Sequence, residues 1–309
     1  MPARLILNAD DFGLTPGINR AIGELSAAGV LTSATLMASG PAFDDAVAVA
    51  HAHPKLGVGC HIVLTDGVPV SHPSSIPSLI GGDGKSFRAS LLDFLQALLR
   101  GAINEDDVAR EALAQVQRLQ RAGIDVTHID THKHTHLFPT IARPLLHIAE
   151  RTSIGAIRDP FEPEWSLALN QGSWLRRAGV RAIGRLRLRF EAHPEIRSAK
   201  VLTTDGTIAI SATGQLNTTT LAEVLRALPP TGTYELCCHP GYNDLDLDQV
   251  TTRLRAHRNI EREGLLSQIG LILSQPNPPE LIHYGNLGSF GALRELGQFT
   301  PNTGYEKVL

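Results

Sequence analysis

Short runs of β-forming residues alternate with helix-forming stretches from the first residues onward, and this rhythm restricts the chain to folds built of parallel βα units. Leu5 to Ala9 reads as a first strand. Thr15 as N-cap and Pro16 at the first helical position open a helix over Gly17 to Ala28, which Gly29 ends. A strand near Thr32 to Met37, a helix from about Ala42 to Ala52 and a strand from Gly57 to Val63 follow. Val68 to Gly84 carries Pro69, Pro73, Pro77 and a Gly81-Gly82-Asp83-Gly84 turn, so it reads as a long loop of the kind that forms lids or substrate walls. Helices near Ala89 to Arg100 and Glu105 to Ala122 lead to a strand at Val126 to Thr131, a helix after Pro139 and a strand at Ala156 to Arg158.

The rhythm then breaks. Glu162 to Glu195 holds both tryptophans and an arginine-rich run, and Thr203 to Gly214 reads as a hairpin or irregular excursion. Alternation resumes with a helix at Thr219 to Leu228, a strand at Thr233 to Cys238, a long helix from about Leu247 to Leu273 and a last strand at Leu281 to Tyr284. About seven parallel strands approach the roughly eight of a full (β/α) barrel. The expectation is a single α/β domain over residues 1–290 with an insertion near 162–214 and a C-terminal tail at 291–309.

Composition narrows the function classes. A length of 309 residues suits one large barrel, and 42% hydrophobic with 19% charged residues excludes a disordered or fibrous chain. The formal charge of −3 argues against a nucleic-acid or anionic-membrane partner. Three cysteines, Cys60, Cys237 and Cys238, make a disulfide framework improbable and read as small core residues. No stretch approaches the roughly 18 apolar residues of a membrane span, and no signal-peptide pattern opens the chain, so a cytoplasmic location is the default expectation.

Polar clusters stand at the ends of the predicted strands, where barrel active sites are built. Asn8-Ala9-Asp10-Asp11-Phe12-Gly13 follows the first. Both aspartates reach one site only if the strand is already turning there, which Phe12-Gly13 permits; the alternative is a helix-capping or turn pair. Gly59-Cys60-His61 ends the third, where His61 alone reads more readily as a core or surface histidine than as a ligand. Of 13 histidines, four fall within nine residues, and His128, Asp130, His132, His134 and His136 share one parity. While that segment stays extended they line one face of a strand. An apolar core cannot hold five such groups without partners, so the choice lies between an exposed polar edge and a catalytic metal site, which neutral imidazoles and carboxylates suit. His239, before Pro240-Gly241, stands at a strand end as a candidate general acid or base, or as a helix cap.

Taken together, Asn-Ala-Asp-Asp-Phe-Gly at 8–13, Gly-Cys-His-Ile-Val-Leu-Thr at 59–65, Asp-Thr-His-Lys-His-Thr-His at 130–136 and Cys-His-Pro-Gly-Tyr at 238–242 resemble the YdjC-like (ChbG/HpnK) carbohydrate deacetylases, in order and spacing, over most of residues 4–290. The resemblance implies a distorted TIM-like (β/α) barrel, a homodimer, and a hydrolase that removes the acetyl group from an N-acetylglucosamine-containing sugar such as a chitooligosaccharide, an N-acetylated disaccharide or a glycolipid. It implies one divalent metal ion on Asp11, His61 and His132, with Asp10 as the base that deprotonates a metal-activated water. Mg²⁺ and Zn²⁺ are the leading ions, and Mn²⁺, Co²⁺ or Ni²⁺ suit the same donors. His239 would then protonate the departing amine. Asp130 would orient a ligand imidazole, Arg158 would pair with the base, and His134 and His136 would face the sugar or back the first ring of groups.

Other readings compete. An amidohydrolase or PHP-type metal hydrolase also carries His-x-His in a barrel, but normally on the first strand; here the aspartates come first. A non-haem iron oxygenase shares the two-histidine, one-carboxylate set, but the βα rhythm disfavours its usual all-β barrel. A non-catalytic, metal-dependent sugar-binding protein would have no use for Asp10. The insertion with Trp165, Trp174, Arg176, Arg177, Arg181, Arg185, Arg187 and Arg189 reads as a solvated flap or dimer contact in preference to a surface that presents a lipid-linked sugar at a membrane.

Overall fold

The computed structural model describes residues 2–169 and 174–288, so the expected tail at 291–309 lies outside the described residues. Seven strands form one sheet: β1 (Arg4–Phe12), β2 (Ser33–Leu36), β3 (Gly57–Ile62), β4 (Val126–Thr131), β5 (Thr207–Ile208), β6 (Thr233–Cys238) and β7 (Glu280–Leu281). The order is β4-β3-β2-β1-β6-β5, with β7 beside the start of β1, and every strand pair is parallel. Parallel neighbours need crossovers, which the helices supply. In the first half these are α1 (Pro16–Ala27), α2 (Phe43–Ala52), α3 (Leu91–Leu99), α4 (Glu105–Arg121) and α5 (Pro139–Arg151). Four short helices cross the insertion, α6 (Glu164–Leu169), α7 (Trp174–Gly184), α8 (Arg187–Glu191) and α9 (Pro194–Arg197), before α10 (Thr218–Arg226) and α11 (Ala256–Leu273). The result is a single α/β domain, a mostly parallel sheet curled into a distorted TIM-like barrel. No described helix is long and apolar enough to cross a membrane.

The segment expected to be a hairpin or excursion, 203–214, instead contains β5. Leu202 exchanges backbone bonds with Gly155 and Ile157, both 2.9 Å, while Asp205 N donates to the Thr233 carbonyl at 2.8 Å and Glu235 N to that of Gly206 at 3.1 Å. Backbone hydrogen bonding therefore continues from β4 through residues 155–158 and 201–208 to β6, and the sheet curls around. A two-residue strand has too few positions to show a period in sequence.

Two other boundaries differ. The long helix begins at Ala256, not Leu247, because Leu245–Gln249 is a separate 3₁₀ turn and the Thr252 hydroxyl takes the Leu254 amide at 3.2 Å, a local bond that competes with helix. The last strand stops at Leu281, because the His283 ring accepts the Gly285 amide and the Asn286 side chain accepts the His283 amide, both 3.1 Å, starting a 3₁₀ turn at Tyr284–Asn286. The long loop is borne out as non-regular, save for the 3₁₀ turn Pro73–Ser75 and an Ile80–Phe87 bridge.

Alternation along the strands creates two interiors. Leu5, Leu7 and Ala9 of β1 are fully buried in the large apolar layer between sheet and helices, with Ile18, Ile22 and Leu25 of α1. Ile6, of opposite parity, belongs to a small separate cluster inside the barrel with Ala156, Ile282, Tyr284 and Leu287. The next residues of that parity, Asn8 and Asp10, begin the candidate site.

Candidate active site

The strand β1 runs three residues past Ala9, and its register with β2 breaks between Ala9 and Phe12. Asp11 itself takes the left-handed conformation, φ 63°, which aspartate tolerates better than most residues, so consecutive carboxylates are not thrown to opposite faces. The turn that lets both aspartates serve one site is thus at Asp11, one residue before the Phe12-Gly13 pair to which the sequence pointed.

On β4, Asp130 faces the interior, but the shared parity of 128–136 does not extend through the run. The chain curls into a 3₁₀ turn at His132–Leu137, with Lys133 and His134 left-handed at φ 59° and 52°. The Thr131 hydroxyl drives the curl, taking the His136 amide at 3.1 Å and meeting the His136 ring at 2.7 Å. His132 is thereby swung beside His61 of β3. Lys133 pairs with Asp66, tying the turn to the start of the long loop.

Three donor atoms converge. His61 Nε2 lies 3.3 Å from His132 Nδ1 and 3.8 Å from Asp11 Oδ1, which is 3.4 Å from His132 Nδ1. Two of the outer atoms are already committed: His61 Nδ1 meets Asp130 Oδ1 at 2.7 Å, and Arg258 of α11 donates to Asp11 Oδ2 at 2.6 Å. Two imidazoles and one carboxylate oxygen aimed at a common point, with His61 and Asp11 locked from behind, fit a divalent ion with coordination positions to spare.

Behind this triad stands a fully buried guanidinium. Arg158 donates to both oxygens of Asp10, at 2.9 and 2.6 Å, to Glu235 at 2.6 Å, and lies 2.6 Å from Asp130. Burial alone would raise the Asp10 carboxyl, but the charge and hydrogen bonds of Arg158 outweigh it and hold the group well below its usual range. Asn8 adds a bond to Asp10 at 3.0 Å and Thr35 another at 3.2 Å. Burial likewise opposes, and Arg258 with His132 overcomes, so that Asp11 is also held low. His61 shows the converse: burial pulls it down, yet Asp130 raises it to about 9.

His239 closes the other side, with Nε2 3.8 Å from Asp10 Oδ2 and no hydrogen-bond partner on Nδ1. His134 is likewise without a partner on its buried Nδ1, and burial lowers its pKa to about 3, so it is a neutral ring. His136 is fully buried and bonds the Arg158 carbonyl at 3.2 Å, which places it behind the site and away from open space. Asp10, Asp11, His61, Asp130, His132, His134, His136, Arg158 and His239 therefore lie together at this end of the barrel, whereas His128, of the same run, stacks on Tyr284 with ring centroids 3.9 Å apart.

Four neighbours escaped the sequence reading. Glu235 and Tyr284 complete the bonding around Arg158, and Tyr284 donates to Glu235. A charge at the centre of an otherwise apolar strand, Thr233 to Cys238, was the available signal for Glu235. Arg258 and Glu261 lie one turn apart on α11, the first on Asp11 and the second accepting the His239 amide at 2.6 Å. On a helix, such charges look like any solvated face.

The family described as YdjC-like protein matches residues 4–269. The chain is 46% identical over 147 residues to a carbohydrate deacetylase of Brevibacillus brevis, a match covering 48% of this chain and 56% of the relative. A carbohydrate deacetylase of Halalkalibacterium halodurans matches at 28% over 279 residues, 87% of this chain and all of that one, 100%. The chain thus spans little more than half the length of two such relatives, 56% for Brevibacillus brevis and 58% for Geobacillus stearothermophilus. In three dimensions, a crystal structure from Enterococcus faecalis V583, named for cellobiose-phosphate cleavage, superposes with a TM-score of 0.72 at 24% identity, covering 93% of this chain and 99% of the other. That likeness speaks to the fold, which it shares.

Proposed function

The chain belongs to the YdjC-like family, and from that premise and the site geometry we propose that it is a metal-dependent carbohydrate deacetylase acting on an N-acetylglucosamine-containing sugar. The observation that carries the reading is the juxtaposition of the Asp11-His61-His132 donor set with a second, separately anchored carboxylate, Asp10. A binding protein needs the first and has no use for the second. A divalent ion, Mg²⁺ or Zn²⁺ in the first instance, would supply Lewis acidity toward the acetamide oxygen and lower the pKa of water.

The protein's own residues do the rest. Asp10, ionised at neutral pH, accepts the proton of the attacking water at Oδ2, the oxygen that faces His239. Arg158 fixes the plane of that carboxylate by a two-pronged bond. An amide nitrogen leaves poorly until it is protonated, and His239 is placed to deliver that proton, with Glu261 holding its backbone. Asp130 holds His61 in the tautomer that presents Nε2. Arg258 leaves Asp11 a single free oxygen, Oδ1, toward the donor cluster.

Acetate release from N-acetylglucosamine, its oligomers and N-acetylated glycolipids, with Mg²⁺ or Zn²⁺ supplied, tests the reading. Asp10→Asn is expected to lower kcat by about 10²–10⁴-fold, the usual worth of a positioned base, with Mg²⁺ binding at the Asp11-His61-His132 set unchanged. Full activity in that variant, or no acetate from any N-acetyl sugar with metal loaded, would sink the proposal. The homodimer implied by the family resemblance is a separate expectation, which light scattering of the full chain decides.

A further inference from the structure

Beside the metal triad lies another set of donors, of which the chemistry above uses only Asp10. Asp10, His134 and Cys237 bring one ligand atom each to within 4.8 Å of one another, and the set shares no residue with Asp11, His61 and His132. The Cys237 sulfur lies 3.4 Å from Asp10 Oδ2, and Cys237 is 2% exposed, on the interior face of β6, whereas Cys238 points away and meets the Asn8 carbonyl at 3.2 Å. His134 is turned inward by two successive left-handed residues, a conformation costly for a non-glycine side chain, and its buried Nδ1 then meets no hydrogen-bond partner. A strained turn that delivers an unsatisfied, neutral imidazole beside a thiol and a carboxylate has no account in packing or in the acetyl-transfer steps.

We propose that Asp10, His134 and Cys237 form a second, sulfur-containing cation site whose occupation by a thiophilic ion such as Zn²⁺ or Cd²⁺ withdraws Asp10 from its role as base. The donor set is sulfur, nitrogen and oxygen, which favours borderline and soft ions over Mg²⁺, whereas the triad of nitrogen and oxygen donors takes either. Three carboxylates, Asp10, Asp130 and Glu235, stand around Arg158, so a cation held at Asp10 has acidic neighbours to offset its charge. Binding breaks the Cys237 S–H bond, releases that proton to solvent and forms the metal–sulfur bond, so each ion taken up here expels one proton. The consequence is a built-in ceiling: one equivalent of Zn²⁺ would support the enzyme and an excess would silence it. The inhibition rests on the deacetylase reading; the existence of the site does not.

The test separates the two. The full chain is titrated with Cd²⁺ while thiolate-to-metal charge-transfer absorption in the ultraviolet and metal content by mass spectrometry are followed, in wild type, Cys237→Ser and His134→Ala. Wild type is expected to bind about two ions per chain with a charge-transfer band, and each variant about one ion without the band. Saturation of wild type at one ion without charge transfer overturns the site, as does a band that survives Cys237→Ser, since Cys60 or Cys238 would then be the ligand. On an active substrate, the fall in rate with excess Zn²⁺ should track the second ion in wild type and be absent with Mg²⁺. A protein that binds two Cd²⁺ with charge transfer but releases no acetate would leave this site standing and remove only the deacetylase reading.

Discussion

The two faces of β1 are built on opposite principles. Leu5, Leu7 and Ala9 face the helices and join an apolar layer in which each contact is small, local and replaceable. Ile6, Asn8 and Asp10 face the lumen, where only the bottom is apolar and the layers above hold Arg158, Asp130, Glu235, His61 and Asp10, almost wholly shielded from water. A (β/α) barrel ordinarily fills its lumen with branched apolar side chains. Here that volume has been given to an interlocked set of charges in which one group serves several others. The lesson is that the outer layer carries the fold, while the lumen gives up apolar packing to hold a reactive geometry rigid.

The sharpest way to break this contrast is to remove the shared cation. Arg158→Met leaves three buried carboxylates without their common partner, and loss of one member of a buried ionic set costs about 3–5 kcal/mol. Urea unfolding should show that loss, and deacetylation should vanish with it as Asp10 comes free. An unchanged midpoint would mean the lumen network contributes nothing to stability. The matching change on the outer face, Leu7→Ala, removes a fully buried side chain and should cost about 2–4 kcal/mol by the same measurement. It should leave metal content and activity per folded molecule unaltered. A fall in metal affinity in Leu7→Ala would show that the two faces are mechanically coupled.

The same contrast governs what could be read from the sequence. The outer layer announces itself through periodicity, which is why most helices and strands fall within a few residues of expectation. The lumen announces itself through polar residues of one strand parity, and Asp10, His61 and Asp130 obey it. It fails at Lys133 and His134, since neither residue type is enough to specify a left-handed backbone. It fails again at Arg258 and Glu261, which reach the site from a helix on which their spacing looks ordinary, yet are 0% and 1% exposed. Closure through residues 201–208 was hidden for a third reason, since it is made by backbone bonds that side-chain patterns do not report.

The smallest expected effect comes from the residue next to Arg158. Asp159, of opposite parity, is 1% exposed and meets Arg187 at 2.8 Å, an arginine that is itself part exposed. Burial pushes the Asp159 carboxyl up to about 7, with Arg187 and the Phe161 amide only partly opposing. Its neighbour's carboxylate partner Asp10 is held low by a saturated guanidinium, so carboxylates at Arg158 and at the adjacent position 159 stand in opposite electrostatic regimes. The sign follows from linkage. A carboxyl whose folded pKa lies above its unfolded value stabilises the fold fully at low pH, below the unfolded pKa near 3.8, and that contribution is lost as pH rises through about 7. The urea midpoint of the wild type should therefore decline between about pH 4 and 7, the interval in which the unfolded chain has lost this proton and the folded one still holds it. In Asp159→Asn that part of the decline should disappear, because the amide keeps a carbonyl for the Phe161 amide and carries no charge to bury. Parallel curves for the two proteins would show that Arg187 neutralises Asp159 as completely as Arg158 neutralises Asp10, and that the electrostatic difference between lumen and helix side does not extend to this residue.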